Sequence, residues 1–482
     1  MKKKALKKAV ALALVFVLCG GVFTVFAAAD TVKRVSCSMY ADGATGRGFC
    51  WYTLENGGSD VQIVETAGFD GTFAGAKTYS GKTALYRGQY SHQVAVTDLT
   101  PGTAYTYRVG DAAKGLWSEP CTFVTDDRDD SFSFISIADV QASSDENFAH
   151  AAKTLQGALA TLPEAEFIVN LGDYVNDNTN DEWDWYFSNF AFANNAYTGV
   201  PVAGNHDGNI TNKLNTNCFV NTFCLDKSDN RSIEGVYYSF DYGNAHIAVL
   251  NTNDMYPMSQ AQRNWLINDM TASNAMWKIV LMHRSLYSAG KNINKPDTII
   301  MRNDLLPIMD QLDIDLVLSG HDHMYMRTAQ VKGEARVEGV QYVTEYFGGE
   351  ETTFALDPDG TVYAIPSTAG TKRYVVNENA IDPIHAVADV EFSTRDRGGC
   401  FTTVEIEGGR LVYKAYIVDD ETREVEQVDS YAIMKTAAGE SSPANRDQSF
   451  AATVYSYGYN FVKAIILMMV SYIKLLAQVA GK

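Results

Sequence analysis

The pattern of apolar and polar positions changes once along the chain, near residue 127. Between residues 31 and 126, short runs that alternate apolar and polar side chains are separated by glycine-rich turns, which is typical of strands with one buried face. Beyond the acidic stretch 126–130, apolar β-type runs alternate with helical patterns such as 146–162 and 259–273. The pattern therefore predicts an all-β sandwich over residues 30–126, followed by a layered α/β domain over residues 127–436.

The two ends of the chain depart from this pattern. Lysines at the start precede an apolar run at 9–18 and three alanines at 27–29, which predicts an export signal over residues 1–29. Residues 437–454 are small and polar, and we expect a flexible linker there. Residues 455–482 predict a largely apolar amphipathic helix with a narrow polar stripe. Such a helix can span a membrane, lie in its interface, or pack on the protein or a second copy. Lys474 near its middle favours the interface over a span, and the sequence leaves the alternatives open.

Charge and cysteine content narrow the range of partners. The chain carries 39 basic and 58 acidic side chains, a formal net charge of −19, so nucleic acid is not an expected partner. Six of the 7 cysteines follow the predicted signal. An even number in an exported chain permits disulfides, and Cys218 with Cys224 would close a short loop, but buried free thiols fit equally well.

Polar side chains of the metal-ligand type follow five of the apolar runs in the second domain. The runs are 132–138, 167–171, 200–203, 278–282 and 316–319. Because α/β sheets place their ligand sites at the carboxyl ends of strands, we expect the residues after these runs to converge. Those residues are Asp139, Asp173, Asn205, His206, Asp207, His283, His321 and His323.

The composition of this set indicates which cations it suits. Imidazoles combined with carboxylates and a carboxamide favour Zn, Fe or Mn over Ca, and no cysteine cluster accompanies them. Two neighbouring cations need a shared anion, for which Asp173 is the candidate. His321 and His323 stand two residues apart and can serve different metals. The remaining histidines, at positions 92, 150, 246 and 385, are interpreted as structural.

At these residues the chain resembles the calcineurin-like metallophosphoesterases, and its domain order resembles the purple acid phosphatase branch, with a fibronectin type III-like domain in front. The stretch 98–109 is similar to the corner before a late strand in fibronectin type III domains. The resemblance implies these roles: Asp139 and His323 on the first metal, Asp173 as the bridge, Asn205, His283 and His321 on the second metal, and His206 outside the ligand shell, orienting or protonating the substrate.

Two positions depart from the purple enzymes. Those enzymes carry a tyrosine three residues after the bridging aspartate, where this chain has Asn176, so an iron tyrosinate is not expected. Gln141 stands where they have glycine. Its carbonyl oxygen can bind the first metal, or its amide can form a hydrogen bond from outside the ligand shell, and both alternatives remain open.

The predicted export signal implies a secreted or cell-surface protein. The resemblance implies an enzyme that hydrolyses small phosphomonoesters by attack of a metal-bound hydroxide, with a pair of Fe, Zn or Mn ions. We expect His206 to act on the leaving group, with Asn176, Asp177 or Asp207 orienting its ring. Arg284 either contacts phosphate or is an exposed surface arginine. A phosphodiesterase or nucleotide pyrophosphatase on the same scaffold is the alternative function. An adhesion protein with an inactive hydrolase domain is a more remote one.

Overall fold

The protein is described by a computed structural model that covers residues 31–208, 217–226, 236–254 and 258–436. The predicted export signal, the linker 437–454 and the predicted helix over 455–482 lie outside these residues. No helix in the described part of the chain is long and apolar enough to span a membrane.

The N-terminal unit consists of strands and one short 3-10 helix, Thr66–Gly68, which confirms the all-β prediction. Its core packs Phe49 and Trp51 against Tyr107 and Phe123, all buried, because alternate side chains of each strand point inward. The strands are β1 Lys33–Met39, β2 Arg47–Thr53, β3 Asp60–Glu65, β4 Lys77–Ser80, β5 Lys82–Tyr86, β6 Gln89–Val96, β7 Ala104–Asp111, β8 Leu116–Trp117 and β9 Cys121–Val124.

The second unit alternates strands and helices, as the pattern predicts. Its strands are β10 Ser131–Ile137, β11 Phe167–Asn170, β12 Thr198–Pro201, β13 Tyr238–Tyr242, β14 Ala245–Val249, β15 Trp277–Leu281, β16 Leu316–Leu318, β17 Tyr325–Thr328, β18 Val331–Lys332, β19 Ala335–Arg336, β20 Gln341–Phe347, β21 Glu350–Leu356, β22 Val362–Pro366, β23 Ala388–Phe392, β24 Gly398–Glu407, β25 Arg410–Asp419 and β26 Val425–Met434. Its helices are α1 Asp145–Thr161, α2 Asn180–Asn189, α3 Ala191–Asn194, α4 Asn217–Thr222, α5 Gln260–Ala272, α6 Pro296–Leu312 and α7 Ile384–Val387.

Two sheets form the centre of the second unit. Within the described residues, one has the order β13-β14-β15-β16-β22-β17-β23 and the other contains β21-β26-β25-β24-β10-β11-β12. Their inner faces share one apolar core, to which Phe134, Phe167, Val249 and Leu281 contribute. Helix α1 packs on β24, and α5 and α6 cover the outer face of the other sheet. This arrangement is the predicted layered β-sandwich flanked by helices.

The second of these sheets, which contains β12, continues into the N-terminal unit, and the sequence pattern does not predict this. Strand β1 pairs in parallel with β12, with Ser38 opposite Gly199, so β1, β2, β6 and β5 extend the same sheet. Arg47 on β2 is fully buried and donates to the Thr198 hydroxyl at 2.9 Å and the Val124 carbonyl at 2.6 Å. The pairing removes two sheet edges that would otherwise expose unpaired backbone groups.

Among the described residues, the six cysteines after the predicted signal are buried thiols. Cys218 and Cys224 form no disulfide, so the structure agrees with the alternative of buried thiols. Burial raises the pKa of the Cys37 and Cys50 thiols to about 12, which makes them poor nucleophiles.

The hydrogen bonds of His246 confirm that it is a structural histidine. It lies on β14 and its two ring nitrogens bond Asp241 at 2.7 Å and Asp269 at 2.9 Å. Burial by itself lowers the pKa of His246, but the hydrogen bonds and charges of the two aspartates outweigh burial and raise this pKa to about 9. The folded state therefore binds a proton on His246 that the unfolded chain releases near its ordinary pKa of about 6.5.

This difference predicts a pH-dependent stability. The protonated His246 should contribute fully below about pH 6.5, and the contribution should disappear as pH rises through about 9, because a raised folded-state pKa favours folding only while the group is protonated. We expect His246→Gln to lower the free energy of unfolding by about 2 kcal/mol at pH 6 and by clearly less at pH 9.5. The value at pH 6 is reduced because solvent screens the charge of the exposed Asp241. Urea unfolding of both proteins at the two pH values measures this difference. A loss of equal size at both values would contradict the assignment.

Candidate metal centre

The residues predicted to converge lie on loops at one edge of the two central sheets. Strands β10, β11 and β12 run parallel to one another, as do β15 and β16 in the facing sheet. Their carboxyl ends therefore meet, and the loops that follow bring the predicted side chains into one buried cluster.

The first group of donors contains Asp139, Asp173 and His323. Their ligand atoms lie within 4.8 Å of one another, and all three side chains are buried. The Nε2 atom of His323 is 3.3 Å from Oδ1 of Asp139. Two carboxylates and an imidazole directed at one point suit a cation of the Zn, Fe or Mn kind.

The second group contains Asp173, His283 and His321, again within 4.8 Å of one another. Nε2 of His283 lies 3.3 Å from Oδ2 of Asp173 and 3.1 Å from Oδ1 of Asn205. Asp173 is common to both groups. It therefore occupies the position that a carboxylate bridging two cations requires.

Backbone carbonyls orient two of these imidazoles. Nδ1 of His283 donates to the Leu171 carbonyl at 2.8 Å, and Nδ1 of His323 donates to the Lys372 carbonyl. The ring of His323 is also stacked on Tyr374, with centroids 4.3 Å apart. Because a histidine whose Nδ1 carries the proton keeps a lone pair on Nε2, both rings present a metal-binding atom to the carboxylates.

The electrostatics of the cluster also suit cations. Burial alone would raise the pKa of Asp173, but His283, and after it His206 and His321, lower that pKa well below its usual range. Burial lowers the pKa of His283, while the Asp173 charge outweighs it and brings this pKa to about 9. Burial and Arg284 lower the pKa of His321 and keep its imidazole neutral. The carboxylates thus create a negative potential that bound cations would satisfy.

Four site residues adopt left-handed backbone conformations, which are uncommon for residues other than glycine. The φ angles are +53° at Asp139, +35° at Gln141, +54° at Asp173 and +71° at His321. Such conformations cost about 1–3 kcal/mol each and persist where surrounding contacts enforce them. Here the backbone N–H of His321 donates to the Asp139 carboxylate at 2.9 Å, and that of Gln141 donates to the Asp173 carbonyl at 2.8 Å.

Asp207 holds two of the ligand loops together. Its buried carboxylate accepts hydrogen bonds from the backbone N–H groups of Asp173 at 2.9 Å, Tyr174 at 2.8 Å and Gly204 at 2.8 Å. Burial and the Asp173 charge raise the pKa of Asp207, and these hydrogen bonds oppose the rise. Asp207 therefore positions the loops and does not contact the His206 ring, contrary to one of the three predicted alternatives.

The close contact of these loops requires glycine at position 204. A methyl group there would come within 2.0 Å of the Asp173 backbone nitrogen and 2.3 Å of its Oδ1 atom. We expect Gly204→Ala to displace Asp173 and to lower metal occupancy and turnover by at least about 100-fold, since a shift of about 1 Å is enough for such a loss. Metal analysis and steady-state kinetics measure the effect. Gly199→Ala is the matched control, because a methyl group at 199 meets its nearest atom at 3.6 Å.

His206 faces the same cavity as the donor groups. Its Nδ1 donates to the backbone carbonyl of Asn176 at 2.5 Å, and its backbone N–H donates to Oδ1 of Asp173 at 2.7 Å. Of the three predicted orienting residues, Asn176 contacts the ring, and it does so through its main chain. The Asn176 side chain donates to Asp177, whose own N–H bonds Glu182, so Asp177 shapes the loop and does not contact His206.

Gln141 and Arg284 both line the cavity. Gln141 is 6% exposed, and neither atom of its side-chain amide has a hydrogen-bond partner among the described residues. Buried amides of this kind normally have a partner, so the observation fits a carbonyl oxygen directed at a cation. Arg284 is 8% exposed, which contradicts the surface alternative. Its Nη1 lies 3.3 Å from Nε2 of His321 and 3.4 Å from Oδ2 of Asp297.

The cavity has a volume of about 440 Å³, within the range of small-molecule sites. Part of its wall is formed by residues that the sequence analysis did not single out. Lysines and asparagines are frequent on any surface, and no spacing marked these, so no sequence signal distinguished them. They are Asn253, Lys291, Asn292, Lys295, Asp297, Lys372 and Tyr374.

Two family models match the chain, in the order that the sequence analysis predicts. The purple acid phosphatase N-terminal domain matches residues 32–125, and the calcineurin-like phosphoesterase matches residues 132–325. These matches confirm the predicted resemblance. The comparison of the first unit with fibronectin type III domains stays a prediction.

Individual relatives are distant. An uncharacterized protein of Mycobacterium tuberculosis strain H37Rv is 25% identical over 363 residues, 68% of this chain and 65% of its own length. Purple acid phosphatase 12 of Arabidopsis thaliana, named an Fe(3+)-Zn(2+) enzyme, is 25% identical over 272 residues, 52% of this chain and 55% of its own. The matches thus cover less than two thirds of these relatives.

The fold has a counterpart among solved structures. Purple acid phosphatase PPD1 from yellow lupin seeds superposes with a TM-score of 0.69 at 15% identity, covering 84% of this chain and 75% of the lupin chain. This likeness confirms the predicted fold class. With both domain models matched in order, the chain carries a purple acid phosphatase N-terminal domain followed by a calcineurin-like phosphoesterase domain.

Proposed function

We propose that this protein hydrolyses phosphomonoesters at a centre of two metal ions. The observation that carries the proposal is the position of Asp173, which belongs to both donor groups while its Oδ1 holds the backbone of His206. Ligands for two cations and a histidine outside the ligand set therefore face one cavity. That combination suits transfer of a phosphoryl group to water.

The chain offers each cation its own donors. Asp139 and His323 would hold the first, His283, Asn205 and His321 the second, and Asp173 both. Gln141 would add its carbonyl oxygen to the first. When bound, two cations supply charge that stabilises the phosphoryl group and lowers the pKa of water. The donor set favours Fe, Zn or Mn.

The chain's own side chains would position and protonate the substrate. In the reaction, a bond forms between phosphorus and the water oxygen, the bond to the ester oxygen breaks, and one proton passes to that ester oxygen. The Nδ1 proton of His206 is engaged by the Asn176 carbonyl, so Nε2 is the atom that would deliver this proton. The proton released by water returns to His206 or to solvent. Arg284 would contact the phosphoryl oxygens.

The function is tested on purified protein reconstituted with Mn, Zn or Fe. We expect p-nitrophenyl phosphate to be hydrolysed faster than bis(p-nitrophenyl) phosphate, with turnover that requires metal. A preference for the diester would replace the proposal with the phosphodiesterase alternative. A protein that binds no metal and hydrolyses neither substrate would favour the adhesion alternative.

We also propose that the enzyme acts outside the cytoplasm, on the basis of the export signal in residues 1–29. Membrane contact through residues 455–482 is part of the same proposal. Recovery of the full chain and of a chain ending at residue 454 from culture medium and membrane fractions tests both. Equal distribution of the two chains would contradict the membrane contact.

A further inference from the structure

Three lysines on the cavity wall form a basic surface that the proposed chemistry does not use. Lys291 and Lys295 lie between strand β15 and helix α6, and Lys372 lies in the loop between β22 and α7. All three line the cavity that contains the candidate metal ligands. We name Lys291, Lys295 and Lys372 the lysine shelf.

Contacts place the shelf next to the first donor group. The ammonium of Lys291 lies 3.7 Å from the centroid of the Tyr374 ring. The same ring stacks on the imidazole of His323, with centroids 4.3 Å apart. The Lys372 carbonyl accepts the Nδ1 proton of His323. Lys291 therefore contacts the predicted metal ligand His323 through the ring of Tyr374, and Lys372 contacts it through a hydrogen bond.

In the part of the chain that the structure describes, the three shelf lysines have no counterion, and unlike the unpaired surface lysines Lys82 and Lys153 they line one cavity together. Within the described residues, none of the three ammonium groups lies within 4.0 Å of a carboxylate, whereas Arg327 pairs with Asp429 at 2.6 Å and Arg263 with Asp304 at 2.9 Å. The chain as a whole carries a net charge of −19. Three unpaired ammonium groups on one wall are unexpected in so acidic a protein unless an anion binds there.

Electrostatic repulsion of Lys291 by the other two shelf lysines also favours a bound anion. Burial, and after it the charges of Lys372 and Lys295, lower the pKa of Lys291, while the charge of Asp322 opposes this shift. The charges of the other two shelf lysines therefore disfavour the ammonium form of Lys291, and a bound anion would offset that repulsion. Arg284 provides a fourth cation on the same wall. It is 8% exposed, its Nη1 lies 3.3 Å from Nε2 of His321 and 3.4 Å from Oδ2 of Asp297, and its Nε has no partner among the described residues.

The scissile phosphoryl group does not account for the shelf, because two cations, Arg284 and His206 already face it in the proposed function. We propose that the lysine shelf binds a second phosphoryl group of the same substrate, so that the preferred substrates are small organic phosphates carrying at least two phosphoryl groups. This proposal rests on the proposed function and names its substrate class. Lysine ammonium groups bind phosphate oxygens as point charges, so the shelf accepts a second phosphoryl group in more than one geometry.

Two matched substrate pairs test the proposal. AMP against ADP places the second phosphoryl group directly beside the scissile one, and fructose 6-phosphate against fructose 1,6-bisphosphate places it across a sugar. We expect kcat/KM to favour the doubly phosphorylated member of at least one pair by tenfold or more, mainly through KM, because charged hydrogen bonds each contribute about a factor of ten. Either pair supports the shelf, and the pair that responds reports the spacing it accepts.

The variants are Lys291→Gln, Lys295→Gln, Lys372→Gln and the triple replacement. The triple replacement should bring the preference ratio close to one, and each single replacement should lower it about threefold to tenfold. Lys82→Gln is the control, since this exposed lysine of strand β5 gives the same change in net charge far from the cavity and should leave both ratios unchanged. Calorimetric binding of methylenediphosphonate to the metal-loaded protein gives a second readout without turnover.

The outcomes separate the shelf from the function beneath it. Turnover of p-nitrophenyl phosphate with no preference in either substrate pair would overturn the shelf and leave the phosphatase proposal standing. A preference for the doubly phosphorylated substrate that survives the triple replacement, or that falls equally in Lys82→Gln, would also refute the proposed role of the shelf. Absence of metal-dependent turnover of p-nitrophenyl phosphate would refute the proposed function itself.

Discussion

Asp173→Asn should remove at least one of the two bound metal ions and nearly all turnover. Asp173 is the only described residue that belongs to both donor groups, and it is almost completely buried. Loss of its negative charge leaves two neighbouring cations without a shared anion, so we expect the bound metal to fall from two equivalents to one or none. Turnover of p-nitrophenyl phosphate should fall by at least about 10³-fold, because each bound cation contributes several kcal/mol to catalysis.

Elemental analysis and steady-state kinetics of the same preparations measure the two effects. Asp98→Asn makes the same chemical change at an exposed position of the N-terminal unit and should leave both unchanged. Thermal unfolding of the variant shows whether the fold is retained. Two equivalents of metal and undiminished turnover in Asp173→Asn would disprove the two-metal centre.

His206→Gln should lower turnover in a way that depends on the leaving group. A histidine that protonates the ester oxygen matters most when that oxygen is basic, as in an alkyl phosphate, and least for p-nitrophenolate, which leaves without a proton. We expect kcat to fall by about 10²–10⁴-fold for phosphoserine or glycerol phosphate and by about tenfold or less for p-nitrophenyl phosphate. Metal content should stay the same, because the ring of His206 is bound to the Asn176 carbonyl and lies outside both donor groups.

The comparison of leaving groups distinguishes proton donation from simple orientation. An equal loss for alkyl and aryl phosphates would show that His206 positions the phosphoryl group without protonating the ester oxygen. His150→Gln is the matched control, since this histidine bonds Asp420 on the surface of the same unit. Its replacement should leave kcat unchanged for both kinds of substrate.

The candidate ligands were predictable because their signal is local. Each one follows a short apolar run, and parallel strands with right-handed connections place their carboxyl ends at one edge of a sheet. The positions of Asp139, Asp173 and His283 therefore required only the recognition of strands β10, β11 and β15. The helical pattern over 146–162 was recognisable for the same reason, and helix α1 buries Phe148 and Ala151.

The orientation of His206 was only partly predictable. The sequence restricted the choice to residues near positions 176 and 207, but the group that contacts the ring is a main-chain carbonyl. Every residue has such a carbonyl, so no residue type indicates this role. The positive φ angles at Asp173 and Gln141 are likewise set by neighbouring loops, since neither residue type requires a left-handed backbone.

The sequence by itself determined the order of the two units, the alternation of strands and helices, and which polar side chains stand at strand ends, because these properties depend on residues a few positions apart. The tertiary structure alone decided the pairing of β1 with β12, the burial of Arg284 against His321, and the assembly of the lysine shelf beside His323. These contacts join residues tens to more than a hundred positions apart. Their energies depend on packing and on charges brought together by the fold, which no periodicity along the chain records.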